Sequence, residues 1–129
     1  NATDFGDLST ARDVRAMVGN GVRSVVGGGT NAPADQGAVS STKQNIMEYI
    51  TVASTGNMTD FGDLTVARSQ NGGTSSSTRG VYMGGRAPGG SNVIDYITIS
   101  STGDAADYGD LVTAMIDGGS ASDGHGGLQ

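Results

Sequence analysis

The 129-residue chain carries a net charge of −6 and contains 23 glycines but only two prolines and no cysteine. An acidic chain without a basic stripe is poorly suited to neutralise phosphates, which excludes nucleic acid as the expected partner. No apolar run approaches the roughly 18 to 20 residues of a membrane span, so no membrane insertion is expected. The glycine content favours many short strands joined by tight turns, and the missing cysteines leave the redox compartment undecided.

An internal repeat organises the sequence. Residues 92–111, NVIDYITISSTGDAADYGDL, repeat residues 45–64, NIMEYITVASTGNMTDFGDL, and residues 1–8, NATDFGDL, match the last part of the same pattern. The chain begins within a repeat and without a methionine, from which we expect a processed, excised or partial form of a longer product. A repeat unit cannot bury its apolar face alone, so stability is expected from packing between repeats or between chains.

Each full repeat is predicted to contain four short strands. In chain order these are a weak strand after an Ala-Arg pair, an apolar strand ending in Gly-Gly, an Ile-Thr-Ile strand, and an Asp-aromatic-Gly-Asp-Leu strand. The glycine in the last strand predicts a bulge, and the Gly-Gly pairs predict close backbone packing. The Ile-Thr-Ile strand has apolar residues on both faces, as expected for a strand between layers.

These elements predict a single repeat region over residues 1–129. Residues 1–8 are the last strand of a preceding repeat, residues 9–64 and 65–111 are complete repeats, and residues 112–129 are a partial repeat. The first complete repeat is nine residues longer than the second because of an insertion at residues 30–44. Insertions in repeat arrays map to surface loops, often on the binding face, so this loop is the predicted surface contact site. Its candidate contact residues are Asn31, Asp35, Gln36, Ser41 and Lys43.

The order of these segments resembles the kelch repeat, a four-stranded propeller blade. The positions that carry the likeness are Arg12 and Arg68, Gly28-Gly29 and Gly84-Gly85, Glu48-Tyr49 and Asp95-Tyr96, and the aromatic residues Phe61 and Tyr108. Tryptophan, which kelch repeats usually have at the last position, is missing, and the interval of twelve residues between Tyr49 and Phe61 is longer than in typical blades. The resemblance implies an all-β fold of kelch-like four-stranded antiparallel blades, a β-propeller or part of one, completed by other chains or missing sequence.

A second resemblance covers nearly the whole chain. The sequence is similar to the serial IDYITIASTGNATDFGDLT-type repeats of virion proteins from marine and cyanobacterial bacteriophages, including a short tail around His125-Gly126-Gly127. The likeness implies a phage structural or tail-fibre protein that ends near Gln129. It also implies location in the virion, an extracellular particle made in the host cytoplasm.

Repeated polar residues offer few sites for chemistry. The Asp pairs at a spacing of three, Asp4 and Asp7 and their counterparts, resemble calcium ligands, but Asp beside Gly is also common turn chemistry. His125 is the only histidine and lies in a glycine-rich stretch that is a poor support for a catalytic base. The repeated arginines are expected to pair with the repeated Asp residues or with backbone carbonyls between repeats, and the repeat-phased tyrosines to pack.

The predicted function is therefore structural. We expect a tail-fibre or appendage component with a non-covalent host-surface or assembly role, no enzymatic activity, no catalytic residues, no metal and no cofactor. Its expected partners are other copies of itself in a homo-oligomer, other virion proteins, and a host surface glycan or receptor. A glycan-binding or glycan-degrading propeller domain and a pure assembly module without a ligand are the alternatives. The degrading enzyme would need paired carboxylates at a suitable separation.

Overall fold

The computed structural model describes residues 1–31 and 43–121, and in these ranges the chain forms strands and loops without a helix. It follows that no helix of this part of the chain is long and apolar enough to cross a membrane. The described ranges contain eight strands: β1 (Met17–Gly19), β2 (Arg23–Gly27), β3 (Ile46–Thr51), β4 (Thr59–Asp63), β5 (Gly72–Ser75), β6 (Arg79–Met83), β7 (Ser91–Thr98) and β8 (Ala106–Met115). The predicted all-β fold is confirmed.

The strands form two separate antiparallel sheets, each with four strands in chain order, β1-β2-β3-β4 and β5-β6-β7-β8. Each complete repeat supplies one sheet, and the strands coincide with the four predicted segments. Residues 1–8 form no strand, and β8 continues past Leu111 to Met115, whereas its counterpart β4 ends at Asp63.

A β-bulge interrupts the pairing of the last two strands in both sheets. Met47 pairs with Gly62 and Glu48 with Asp60, which leaves Phe61 as the extra residue of β4. In the second sheet, the shift between Ile94 and Asp95 leaves Tyr108 as the extra residue of β8. The predicted bulge at the glycine is confirmed in both copies, and it turns the aromatic side chain relative to its neighbours.

The two sheets share one hydrophobic core. Tyr82 of the second sheet is fully buried, and its hydroxyl donates a 2.9 Å hydrogen bond to the carbonyl of Val25 in the first sheet. The sheets therefore stabilise each other by apolar burial, as expected for repeat units. The cluster comprises Ala16, Val18, Val25, Met47, Phe61, Leu64, Tyr82, Ile97, Ile99 and Ala105, with Tyr49 packed against it.

Glycine permits the close approach of the two sheets. A Cβ atom at Gly27 would lie 2.9 Å from the Tyr82 ring, and one at Gly28, where φ is +75°, would overlap the carbonyl oxygen of Arg68. The predicted close backbone packing at the first Gly-Gly pair is confirmed. This packing places the segment that follows β4 in contact with the end of β2.

Candidate functional site: the joint between repeats

The most regular feature of the molecule is the joint between β4 and the turn that precedes β8. The amide of Gly103 donates to the carbonyl of Phe61 at 2.6 Å, and the amide of Ala105 donates to the carbonyl of Asp63 at 2.8 Å. In the opposite direction, the amide of Asp63 donates to Oδ1 of Asp104 at 3.0 Å. The three bonds bind the bulged strand of one repeat to the turn of the next.

Residues 1–8 form the same joint with the first repeat. The amides of Gly56 and Met58 donate to the carbonyls of Phe5 and Asp7, each at 2.8 Å. The amide of Asp7 donates to Oδ1 of Asn57 at 3.1 Å. Residues 5–7 thus occupy, on the first sheet, the position that residues 61–63 occupy on the second.

Glycine is required at the centre of each joint. Gly6 has a φ of +145° and Gly62 a φ of +138°, and a Cβ atom at either position would overlap the carbonyl of Gly56 or Gly103, respectively. Both the backbone conformation and the close contact favour glycine. The Asp-aromatic-Gly-Asp pattern is therefore the sequence signature of the joint.

A buried ion pair lies beside each joint. Arg68 lies 2.8 Å from Asp95, and Arg12 lies 2.7 Å from Glu48, with almost no exposure of any of the four side chains. Burial lowers the pKa of the Arg68 guanidinium from its ordinary value, and the Asp95 carboxylate opposes that shift. Breaking such a pair would leave a charge buried without its partner.

Each carboxylate also accepts hydrogen bonds from a residue that follows the joint. The amide of Ser9 donates to Oε1 of Glu48 at 3.1 Å, and the amide and hydroxyl of Thr65 donate to the Asp95 carboxylate at 3.3 and 2.6 Å. Of the two kinds of partner expected for Arg12 and Arg68, backbone carbonyls are found, at Gly28 for Arg12 and at Val93 and Tyr82 for Arg68. Their carboxylate partners are Glu48 and Asp95 and not the aspartates of the Asp-aromatic-Gly-Asp pattern. The repeated acidic-Tyr dipeptide was the signal that could have identified them.

The other two repeated arginines cover tyrosine rings. The guanidinium of Arg23 lies 4.5 Å from the centre of the Tyr49 ring, and that of Arg79 lies 4.8 Å from the centre of the Tyr96 ring, which are cation–π distances. Arg23 also donates to the carbonyl of Ser100 in the second sheet at 3.0 Å, as expected for a bond between repeats. These contacts occupy one face of each ring.

The aspartates of the Asp-aromatic-Gly-Asp pattern make turn contacts. Oδ1 of Asp4 accepts from the amide of Gly6 at 3.2 Å, and Oδ1 of Asp107 accepts from the amide of Gly109 at 2.9 Å. Residues 1–31 and 43–121 contain no group of three or more acidic, histidine or cysteine side chains that could hold a metal ion. The two hydrogen bonds fit the turn interpretation for Asp4 and Asp107.

An open groove lies beside the turn in each repeat. The groove of the first repeat has a volume of about 190 Å³ and that of the second about 440 Å³. Both are lined by aligned residues, a tyrosine and several threonine and serine residues together with Asn57 in the first repeat and Asp104 in the second. The arrangement offers hydroxyl and amide or carboxylate groups at a regular spacing.

The structure describes the predicted contact loop only at its two ends. Asn31 is exposed, and Lys43 forms an isolated β-bridge with Thr30. Asp35, Gln36 and Ser41 lie outside the described residues, as does His125.

Comparisons with known proteins give no further guide to this site. A scan against protein-family models finds no matching family, and a search of the curated proteins finds no match.

Proposed function

We propose that this chain is a structural repeat module of a bacteriophage virion, a component of a tail fibre or related appendage. The observation that carries the proposal is the duplicated joint, in which residues 5–7 and residues 61–63 make the same three hydrogen bonds to two successive turns. Such a joint stacks sheets into a rigid array, which is what an appendage that displays surface loops requires. The resemblance to serial phage virion repeats supports the same assignment.

Within this proposal the repeats are kelch-like blades of a propeller or of a related stack. The support is the four-stranded antiparallel sheet that each repeat forms and the face-to-face core that two successive sheets share. Host contact is non-covalent and involves the loop at residues 30–44 and the polar grooves beside the turns. Exposed loops on a rigid scaffold are the usual place for recognition.

Analysis of purified phage particles tests the assignment. An antibody raised against the chain is expected to decorate an appendage of the virion in electron micrographs, and peptides of the chain are expected in the protein content of the particle. Absence of the chain from purified particles would contradict the proposal. Host-cell adsorption in the presence of excess purified chain then separates host contact from pure assembly, because only host contact predicts competition.

A viscosity assay on host surface glycans tests the enzymatic alternative. The structural role predicts no loss of viscosity when the purified chain is incubated with the polymer. A progressive loss would identify a glycan-degrading enzyme and would overturn the proposal.

A further inference from the structure

The two ends of the described repeat pair expose surfaces whose counterparts are packed together in its centre. Tyr108 at the last bulge is 58% exposed, whereas the aligned Phe61 at the first bulge is 2% exposed. On the opposite end, Val52 is 47% exposed, whereas the aligned Ile99 is fully buried. The side chains at these aligned positions are therefore buried in the centre of the repeat pair and exposed at its two ends.

More apolar side chains extend the two open faces. The aligned position of Met17 in the second repeat is Gly73, where a Cβ atom would lie 3.2 Å from Val18 of the first sheet, so Met17 belongs to the equivalent face of the first repeat. The exposed side chains whose aligned positions are packed in the centre are Met17 and Val52 in the first repeat and Tyr108, Met115 and Ile116 at the end of the second. Exposed apolar side chains at positions that the central packing covers mark an interaction site.

The last bulge has the geometry of a joint without its turn. Gly109 has a φ of +129°, close to the +138° of Gly62. A Cβ atom at Gly62 would overlap the carbonyl of Gly103, but one at Gly109 would meet no atom of residues 1–31 and 43–121 within 4 Å. None of the described residues takes the place that a turn has in the two existing joints.

We propose that the chain self-associates head to tail, with residues 107–111 of one copy replacing residues 4–8 of the next copy on its turn at residues 56–58. The two segments, DYGDL and DFGDL, differ only in the aromatic residue. The first repeat already binds one of these sequences through the bonds at Gly56 and Met58. The partner is therefore a second copy of this chain. Its binding site is the turn at residues 56–58, which already binds the closely similar residues 4–8.

Residues 112–121 change place in this exchange. They are aligned with the segment that leads into β5, and they lie against β5, with Oγ1 of Thr74 donating to the carbonyl of Ala121 at 2.6 Å. In the array, β1 of the second chain, which is aligned with β5, lies against β5 of the first chain in the place of residues 112–121. Met115 is aligned with Arg12 and Arg68 of the two repeats and has no charge to offer. In the second chain, Arg12 already pairs with Glu48 of the same chain, so no carboxylate loses its partner.

The intramolecular segment competes with association. A tethered segment acts at an effective concentration on the order of millimolar, so the unaltered chain is expected to remain monomeric at roughly 10 µM. Each copy in the array uses two different faces, so the joint is heterologous and generates a ring or an open filament. The inference rests on the proposed role as a structural repeat module and names the partner surface of that module.

Sedimentation of variants of the 129-residue chain tests the exchange. Gly6→Val places a side chain against the carbonyl of Gly56 and is expected to release residues 4–8, so that half-association occurs at a concentration about tenfold lower than in the unaltered chain. Adding Gly109→Val to this variant blocks the incoming segment and is expected to restore the monomer. Ala2→Val is the matched control, since it enlarges an exposed residue of the same segment outside the joint.

A labelled peptide of residues 104–111 tests the groove directly. It is expected to bind the Gly6→Val chain, seen as a rise in fluorescence anisotropy, and to bind the unaltered chain about tenfold less tightly. A peptide with valine in place of Gly109 is expected not to bind. Asp7→Pro provides a second variant if Gly6→Val disturbs folding, because it removes the amide that donates to Asn57 and restricts the backbone of residues 6 and 7 without adding a side chain at Gly6.

Two results would overturn the inference. One is a folded Gly6→Val or Asp7→Pro chain that binds no peptide and stays monomeric wherever the unaltered chain does. The other is undiminished association of the Gly6→Val/Gly109→Val chain, which would place the interface elsewhere. Neither result concerns the virion, so the proposed function still depends on the particle analysis.

Discussion

Arg68 and Asp95 form a salt bridge of 2.8 Å between two side chains that have no solvent exposure. Arg68 lies in the segment between β4 and β5, at the start of the second repeat, and Asp95 lies in β7 of the same repeat, so the pair fixes the segment that follows β4 to the second sheet. The guanidinium also donates to the carbonyls of Val93 and Tyr82 at 3.1 and 3.3 Å. These bonds offset part of the desolvation that burial of both charges requires.

Removal of the Asp95 carboxylate is expected to destabilise the fold strongly. Asp95→Ala leaves the Arg68 guanidinium buried without its counter-charge, a change that costs about 3 to 5 kcal/mol. The measurement is the free energy of unfolding in urea. Asp117→Asn is the control, because the Arg15–Asp117 pair is half exposed and contributes at most about 1 kcal/mol, and Asn tolerates the left-handed backbone of this position. Similar losses in both variants would contradict the role assigned to the buried pair.

Gly62 and Gly109 allow the joint contact to be separated from backbone strain. Their φ values are +138° and +129°, so alanine meets a comparable conformational penalty at both, on the order of 1 to 3 kcal/mol. Only at position 62 does the added Cβ also overlap the Gly103 carbonyl. We therefore expect Gly62→Ala to lower the melting temperature clearly more than Gly109→Ala. Equal shifts would show that the joint tolerates displacement.

Phe61 and Tyr108 occupy aligned bulges but different environments. Phe61→Ala is expected to cost about 3 to 5 kcal/mol, because it removes a buried aromatic ring from the shared core. Tyr108→Ala removes a largely exposed ring that contacts Tyr96 at 5.7 Å between ring centres, and we expect a loss of about 1 kcal/mol. Urea unfolding of the two variants measures the difference. A loss at Tyr108 as large as that at Phe61 in monomeric protein would contradict the exposed setting.

The repeat pattern was sufficient to predict the strands, the bulge at the glycine and the close packing at Gly28. These features depend on local backbone chemistry, which recurs wherever the sequence recurs. The repeated acidic-Tyr dipeptide marked Glu48 and Asp95, but the alignment does not say which carboxylate each arginine meets, because that contact depends on how the segment after the joint packs on the sheet. Tyr82 was also missed as a contact between sheets, since its aligned residue in the first repeat is Val26 and no repeat signal marks it.

Tyr82 is expected to make the fold sensitive to alkaline pH. Burial raises the pKa of its hydroxyl well above the ordinary value of 10.0, so the folded chain keeps the proton while the unfolded chain loses it above about pH 10. The unfolded state then binds fewer protons than the folded state, and stability falls as pH rises. The Tyr82 contribution to this slope is about 1.4 kcal/mol per pH unit.

Tyr82→Phe removes that contribution, although it also removes the hydrogen bond to Val25, and Tyr108→Phe serves as the exposed control. Urea unfolding between pH 9 and pH 12 is therefore expected to show a shallower decline for Tyr82→Phe than for the unaltered chain. Parallel declines in the two proteins would show that Tyr82 ionises without unfolding and that its environment is open to water.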